Sequence, residues 1–492
     1  MNLPALAPAL SIVVPLAAAL VAVVAPRPRL IVAITVPVML ALTGLMVRAI
    51  WQGGPIVIEI SNWQPPLGIA LVADGLSAAF VLATALVVGA VLVAALARFS
   101  VASGETRAAW AFWPLAFLLW AALNAAFLSG DLFNIYVSIE LMTLATLGLV
   151  ALEGKPAQIA AALRYAMFAL LGSLAYLLGV ALIYAAHGTL DIRLLADAPL
   201  DDNATLIAAG LMTAGLAAKT ALFPFHAWLP PAHAGAPPPA SAMLSALVPK
   251  ASFYVLLRVW FDAMPGLAGP AALQLLGALG AAAIVYGSIL AVRQARLKLL
   301  VAYSTVAQIG YLFLVFPLAG GTPEPQPWTA GAWSGAVFHA VSHAFAKAAM
   351  FLAVGHVVQA AGHDRLSAMQ GLSRRMPMTA FAFALAAVTL MGLPPSGGFM
   401  AKYLLLTAAF ASGQTIWAII IVLGGVLAAA YLFRPLARAF LPERGHHGTV
   451  PQRQQALPLA LAALSLVLGI VAATPYAFLQ IGRPEAAAEG LQ

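Results

Sequence analysis

In the stretch "AVFHAVSHAFAKAAMFLAVGHVV", His339, His343 and Lys347 fall at every fourth position. On a helix, residues four apart stack on one face, so the three would form a polar stripe in an otherwise apolar element. Imidazoles can accept and release protons near neutral pH, and an ammonium removed from water gives up its proton more readily than an exposed one. Four more ionisable residues stand in equally apolar surroundings: Glu140 in "GDLFNIYVSIELMTLATLGLV", Lys219 in "LAAKTALFPFHAWLPP", Lys250 in "ASAMLSALVPKASFYVLLRVWF" and Lys402 at the end of "GLPPSGGFMAK". Tyr303, Ser304 and Thr305 in "VAYSTVAQIGYL" add hydroxyls able to position water. These residue types suit the passage of protons from group to group.

The elements that must carry them are membrane-spanning helices. Of the 492 residues, 63% are hydrophobic and only 8% charged, against about 25% charged in an ordinary soluble domain. Apolar runs near the roughly 20 residues that a spanning helix needs recur along the whole chain, leaving no room for a folded soluble domain. About fourteen such runs can be counted, so the expected fold class is an all-α integral membrane protein. The opening "MNLPALAPALSIVVPLAAALVAVVAPRPR" reads as a retained first helix, its apolar stretch being too long for a signal-peptide core. The loop "QGGPIVIEISNWQPPLG" alternates like a strand pair and predicts a small hairpin on one membrane face.

The net charge of +8 does not point to nucleic acid, because the basic residues sort by loop. Alternate loops hold Arg27, Arg29, Arg98, Arg107, Lys155, Arg164, Arg293, Arg296, Lys298, Arg365, Arg374, Arg375, Arg434, Arg438, Arg444 and Arg453, while the opposite loops and the C-terminal tail hold only Arg48, Arg193, Arg258 and Arg483. The first face is expected to be cytoplasmic, which puts both termini outside. Cysteine is absent, so disulfides, thiolate metal sites and cysteine-ligated clusters are excluded, and no cofactor is expected. His446 and His447 form too small a group to hold a metal.

Lys219, Lys250, Lys347 and Lys402 do not join that sorting. If the seventh helix enters the hydrocarbon near Ile207, a rise of ~1.5 Å per residue puts Lys219 roughly 18 Å deep, about mid-membrane. A charge there costs roughly 2.5 to 3.5 kcal/mol on insertion scales and calls for a partner or water. The prolines beside it are the second clue. Pro224 interrupts the seventh helix, Pro394 and Pro395 interrupt the twelfth, and irregular backbone survives in a membrane only where protein or water satisfies its freed groups. Broken helices five spans apart are what an inverted pair of five-helix repeats would produce, with a polar path near the midplane.

Each residue also has a structural reading. Lys347 or Lys402 alone could snorkel to the interface, and a lone His339 or His343 could be a packing residue. Asp131 reads as an N-cap, and His226 and His233 as residues lining a loop. Glu140, Lys219 and Lys250 together resist such a reading, since three deep charges without a function would be a large standing cost.

These same segments resemble the antiporter-like subunits shared by respiratory complex I, the multi-subunit Mrp sodium/proton antiporters and membrane-bound hydrogenases. The markers are "GDLFNIYVSIE", "AAKTALFPFHAWLPPAHAGAPPPASAMLSALVPKASFYVLLR", "VAYSTVAQIGYL", "HAVSHAFAKAAMFLAVGH" and "GLPPSGGFMAKYLLL". The resemblance implies three leading helices over 1–109, a first repeat of helices four to eight over 110–261, a second of helices nine to thirteen over 270–433, and a last helix within 434–492. It also implies a Glu140–Lys219 pair, onward transfer through Lys250, bridging by His339 and His343, and Lys402 as the ionisable residue of the twelfth helix. A subunit of this kind is not itself an enzyme. It works with other membrane subunits in the bilayer of a bacterial cell and moves protons against a monovalent cation. The opening segment and "VIEISNWQPPLGIALVADGLSA" look most like the D-type subunit of the Mrp antiporters, whereas a proton-pumping subunit of complex I or a membrane-bound hydrogenase is the alternative.

Overall fold

The computed structural model describes residues 3–25, 27–100, 106–200, 202–265, 267, 269–320, 326–443 and 448–483. Arg444, His446 and His447 lie outside them.

Helices dominate because the apolar runs must satisfy their own backbone hydrogen bonds inside a membrane. The spanning helices are α1 (Leu3–Val24), α2 (Pro28–Gly53), α3 (Gly75–Phe99), α4 (Arg107–Leu128), α5 (Leu132–Val150) and α6 (Pro156–His187). They continue with α7, in two halves (Asn203–Thr220 and Leu229–Gly235), and α8 (Pro238–Leu257), which runs on as a π-helical turn over Arg258–Ala263. Next come α9 (Pro270–Arg293), α10 (Leu297–Phe313, extended by Val315–Ala319) and α11 (Pro327–Ala361). The last three are α12, again in two halves (Pro377–Met391 and Gly397–Ala411), α13 (Thr415–Ala439) and α14 (Gln452–Ile470). Among the described residues thirteen of these, the broken α7 included, are long and apolar enough to cross a membrane, and the paired shorter halves of α12 would supply a fourteenth. The expected hairpin is present as β1 (Ile56–Glu59) paired antiparallel with β2 (Ala70–Ala73), Ile56 facing Ala73.

Local chemistry sets the helix starts. Asp74 and Ser77 form a reciprocal capping box at α3, Asp131 accepts from the Asn134 N–H at 2.7 Å to cap α5, and Asp202 accepts from the Thr205 N–H at 2.8 Å to cap α7. Pro28, Pro156, Pro238, Pro270 and Pro377 occupy first helical turns, where the missing N–H is no loss.

The core centres on α8, α10 and α11. The spanning windows of α8 and α11 are 100% and 94% buried, while those of α1, α6 and α13 are each 39% buried and carry the surface that faces outward. Lys250, His339, His343 and Lys347 are therefore placed on the innermost helices. One close helix crossing involves α6 and α7. A Cβ on Gly215 of α7 would stand 2.2 Å from the Gly172 carbonyl oxygen of α6, so only glycine permits that approach. It draws Ser173 and Lys219 to the same spot.

The break expected in α12 is present, with a half on each side of the prolines, but the placing of several basic residues needs correction. Arg258, Lys298 and Arg483, expected in loops or the tail from the sorting of basic residues, are buried, at 8%, 9% and 8% exposure, and Arg164 and Arg434 lie within α6 and α13 and not in loops.

Candidate functional site

Lys219 is the penultimate residue of the first half of α7 and is 3% exposed. Its Nζ donates to Glu140 Oε1 of α5 at 2.9 Å and to Thr143 Oγ1, one turn further along α5, at 2.9 Å. Ser173 of α6 also donates to Glu140 Oε1. A buried ammonium thus has a carboxylate partner, and that carboxylate has a second donor, the condition under which an interior ion pair is tolerated.

Beside the pair, the chain is broken. The first half of α7 ends with Ala221 in the left-handed region at φ 60°, and the helix resumes through a 3₁₀ turn that starts after Pro224. Breaking a helix leaves carbonyls without donors. Here the Leu222 N–H reaches the Ala217 carbonyl at 3.0 Å and the Trp228 indole N–H reaches that of Ala218 at 3.0 Å.

The break in α12 solves the same problem with a lysine. Gly392 takes the left-handed turn at φ 81°, Pro394 and Pro395 follow, and the second half begins after Ser396, whose hydroxyl caps it. The freed carbonyls of Leu390 and Met391 accept from Lys402 Nζ at 2.9 and 3.1 Å. An ammonium at a helix C-terminus also meets the negative end of the helix dipole. Lys402 is 7% exposed, so it does not snorkel to an interface, and its Nζ sits 4.4 Å from the centroid of the Tyr311 ring.

Between the two breaks lies a run of polar contacts. Lys250 of α8 donates to the Ser245 carbonyl, and Ser245 Oγ lies 2.8 Å from Thr305 Oγ1 of α10. Thr305 and Ser304 donate to the Val301 carbonyl at 3.0 and 2.9 Å. The same carbonyl accepts from Lys347 Nζ of α11 at 2.9 Å, and Lys347 also donates to Ser304 Oγ. Lys347 is fully buried and Lys250 is 1% exposed, and among the described residues neither has a carboxylate partner. One turn from Lys347 is His343, whose Nε2 has no partner among the described residues, and its ring stacks at 5.8 Å on that of His339. His339 Nε2 lies 3.0 Å from the Gln308 carbonyl oxygen of α10. The Gln308 side-chain amide donates to the Leu390 carbonyl at 3.1 Å, which is the acceptor shared with Lys402. The Tyr311 ring lies 5.2 Å from His339 and closes the same gap from the other side.

The expected residues are therefore gathered with two exceptions. Tyr303 is partly exposed and its hydroxyl has no hydrogen-bond partner among the described residues, so it stays off the row. The Glu140–Lys219 pair meets α8 through helix packing but has no direct hydrogen bond to Lys250 among the described residues.

Several participants escaped the sequence reading. Gln308 and Tyr311 lie one and two turns beyond Ser304 in the segment quoted for its hydroxyls, yet an amide and a phenol in a helix carry no signal of their own. Lys250, Tyr254, Arg258 and Asp262 recur every fourth residue, and there the structure places a second charge cluster toward the opposite end of α8. Arg258 donates to Asp74 Oδ1 at 2.7 Å, to Asp262 Oδ2 at 2.6 Å and to the Tyr254 hydroxyl at 2.9 Å. That spacing of four was the missed clue.

Thirteen helices long enough to span a membrane and the paired halves of α12, all among the described residues, with a buried lysine–histidine row between the breaks in α7 and α12, define a polytopic membrane protein that holds titratable groups away from bulk water. The chain belongs to the NADH:quinone oxidoreductase/Mrp antiporter transmembrane family, whose profile matches residues 129–428. It is 36% identical over 434 residues to NADH-quinone oxidoreductase subunit N of Desulforudis audaxviator, covering 85% of this chain and 84% of that protein. It is 32% identical over 433 residues to the D-type subunit of the Na(+)/H(+) antiporter of Alkalihalophilus pseudofirmus, covering 86% and 84%. A chain in the structure of the Mrp complex from Dietzia sp. DQ12-45-1b superposes over 100% of both chains with a TM-score of 0.86 at 28% identity.

Proposed function

We propose that this chain is the proton-translocating membrane subunit of a multi-subunit monovalent cation/proton antiporter of the Mrp type, with sodium as the cation. It works in a bacterial cell membrane beside other membrane subunits, with its arginine-rich loops in the cytoplasm and both termini outside. The observation that carries this reading is the row of buried groups from Lys250 through Lys347, His343 and His339 to Lys402, flanked by the Glu140–Lys219 pair. Helices α4 to α8 within 110–261 and α9 to α13 within 270–433 form the two inverted repeats, each contributing one broken helix. Residues 1–109 and 434–492 flank them.

Protons move by changes in charge pairing. While Lys219 holds its proton, the Glu140 carboxylate stabilises it. Two unit charges about 4 Å apart at an effective dielectric of about 20 interact by roughly 4 kcal/mol. Loss of that partner destabilises the ammonium by a comparable amount, and its proton passes through water to Lys250. Lys250 and Lys347 have only carbonyls and hydroxyls for partners, so each releases a proton without breaking an ion pair. His343 and His339 then relay it toward Lys402, whose neutral amine accepts it beside the Leu390 and Met391 carbonyls.

A proton-pumping subunit of an NADH:quinone oxidoreductase is the second reading, favoured by the similarity to subunit N. The same row would serve it, with electrons carried by other subunits. Neighbouring genes for flavin and iron-sulfur subunits would support that reading, while small membrane subunits alone support the antiporter. The relay itself is tested by sodium-dependent proton exchange in vesicles containing the whole complex. Lys219→Ala and Glu140→Ala should each abolish exchange, and parental activity in both would rule the relay out.

A further inference from the structure

His233 plays no part in the row between the two breaks, yet it is 1% exposed and its Nδ1 has no hydrogen-bond partner among the described residues. It was expected to line a loop. The structure instead places it inside the second half of α7, with its ring stacked on Phe351 of α11 at 4.8 Å. Phe351 is one turn beyond Lys347 along α11, and Gly355 is one turn beyond Phe351. Gly355 helps to line a cavity of about 370 Å³, together with Arg98, Pro238, His356, Gln359 and Gln454. Those residues belong to the ends of α3, α8, α11 and α14 on the arginine-rich face. Along α11 the order is therefore cavity wall, His233 contact, then Lys347, each about 6 Å from the next at ~1.5 Å of rise per residue.

The surroundings hold His233 in that place. Lys298, at the start of α10, donates to the Ala236 carbonyl at 2.8 Å, and Ser241 donates to the His233 carbonyl at 3.2 Å. Gln158 of α6 donates to the Gly235 carbonyl at 2.8 Å. The freed carbonyls at the end of α7 are thus satisfied by three different helices, while the imidazole nitrogen is left open. An unsatisfied buried nitrogen in a native structure points to an unseen water or a chemical role.

We propose that His233 admits protons from the cavity on the arginine-rich face to the Lys347–Lys250 part of the row. This rests on the proton-relay reading of the chain's function. Water in the cavity gives a proton to one ring nitrogen, and the proton on the other nitrogen leaves toward Lys347. The imidazole ends in its other tautomer, and rotation of the ring restores the first.

The test uses the whole complex in sealed vesicles. His233→Gln keeps a polar side chain of similar length but does not titrate, and assembly is checked by co-purification of the partner subunits, with His233→Asn as the substitute if it fails to assemble. Sodium-dependent proton exchange should fall at least about ten-fold. Because the chain has no cysteine, His233→Cys can also be probed with a small charged thiol reagent, against the parental complex as background. Modification should occur from the arginine-rich face and not from the other. Parental exchange in His233→Gln, modification from the opposite face, or no modification from either face would each overturn the proposal. If Lys219→Ala and Glu140→Ala also exchange at the parental rate, the relay itself is wrong. If they are inactive while His233→Gln is not, protons enter elsewhere.

Discussion

At the scale of single residues, the decisive feature is how each buried cation is satisfied. Lys219 has a carboxylate, Lys402 has two carbonyls at a broken helix end, and Lys250 and Lys347 have only dipoles. Gln308 joins His339 to the shared Leu390 carbonyl. Gln308→Leu should remove the side-chain half of that link and leave the helix intact, cutting sodium-dependent proton exchange by about ten-fold or more while the complex still assembles. Unchanged exchange would mean that protons reach Lys402 by way of Tyr311 or water alone. Glu140, Lys219 and Lys250 were legible in the sequence because a charge within a long apolar run is too costly to be incidental. Gln308 and Ser173 were not, since a neutral polar residue in a helix is common and only the tertiary packing reveals its partner.

At the scale of elements, the two broken helices pose one problem and answer it differently. Both need a residue in the left-handed conformation: α12 uses Gly392, whereas α7 uses Ala221, for which that backbone costs roughly 1 to 2 kcal/mol. Ala221→Gly should therefore stabilise the protein by up to about 1 kcal/mol, read as a higher melting temperature of the detergent-solubilised complex. Gly392→Ala should do the opposite and also lower transport, because its Cβ would lie 2.5 Å from Lys402 Cδ and push the ammonium off its carbonyls. The prolines announced both breaks in the sequence. What they did not announce was where each half begins and ends, because a helix as short as Gly397–Ala411 lacks the length that marks a span. The two prolines at 230 and 231 likewise hid the second half of α7, although a first helical turn accommodates them.

At the scale of the whole molecule, the inward location of α8, α10 and α11 puts the row at the centre, with α1, α6 and α13 exposing apolar surface to lipid or to neighbouring subunits. The proposed topology puts the arginine-rich loops in the cytoplasm and the hairpin outside. Because cysteine is absent, a single introduced thiol reports its side directly. Arg107→Cys should react with an impermeant maleimide only from the cytoplasm and Gln64→Cys only from outside, and the reverse pattern would invert the proposed topology. Helix number and order were readable because apolar length is a local property. The burial of Lys298 and Arg258 was not, because whether a residue at a span's end faces solvent or a neighbouring helix is settled only by packing. The central claim is that the buried lysines are kept for transport and not for stability, and Lys250 tests it most directly because it stands between the Glu140–Lys219 pair and the histidines. Lys250→Leu removes an uncompensated interior charge, so the complex should be as stable as the parent or more so, while sodium-dependent proton exchange in vesicles falls to background. Exchange at the parental rate in an assembled Lys250→Leu complex would contradict the account.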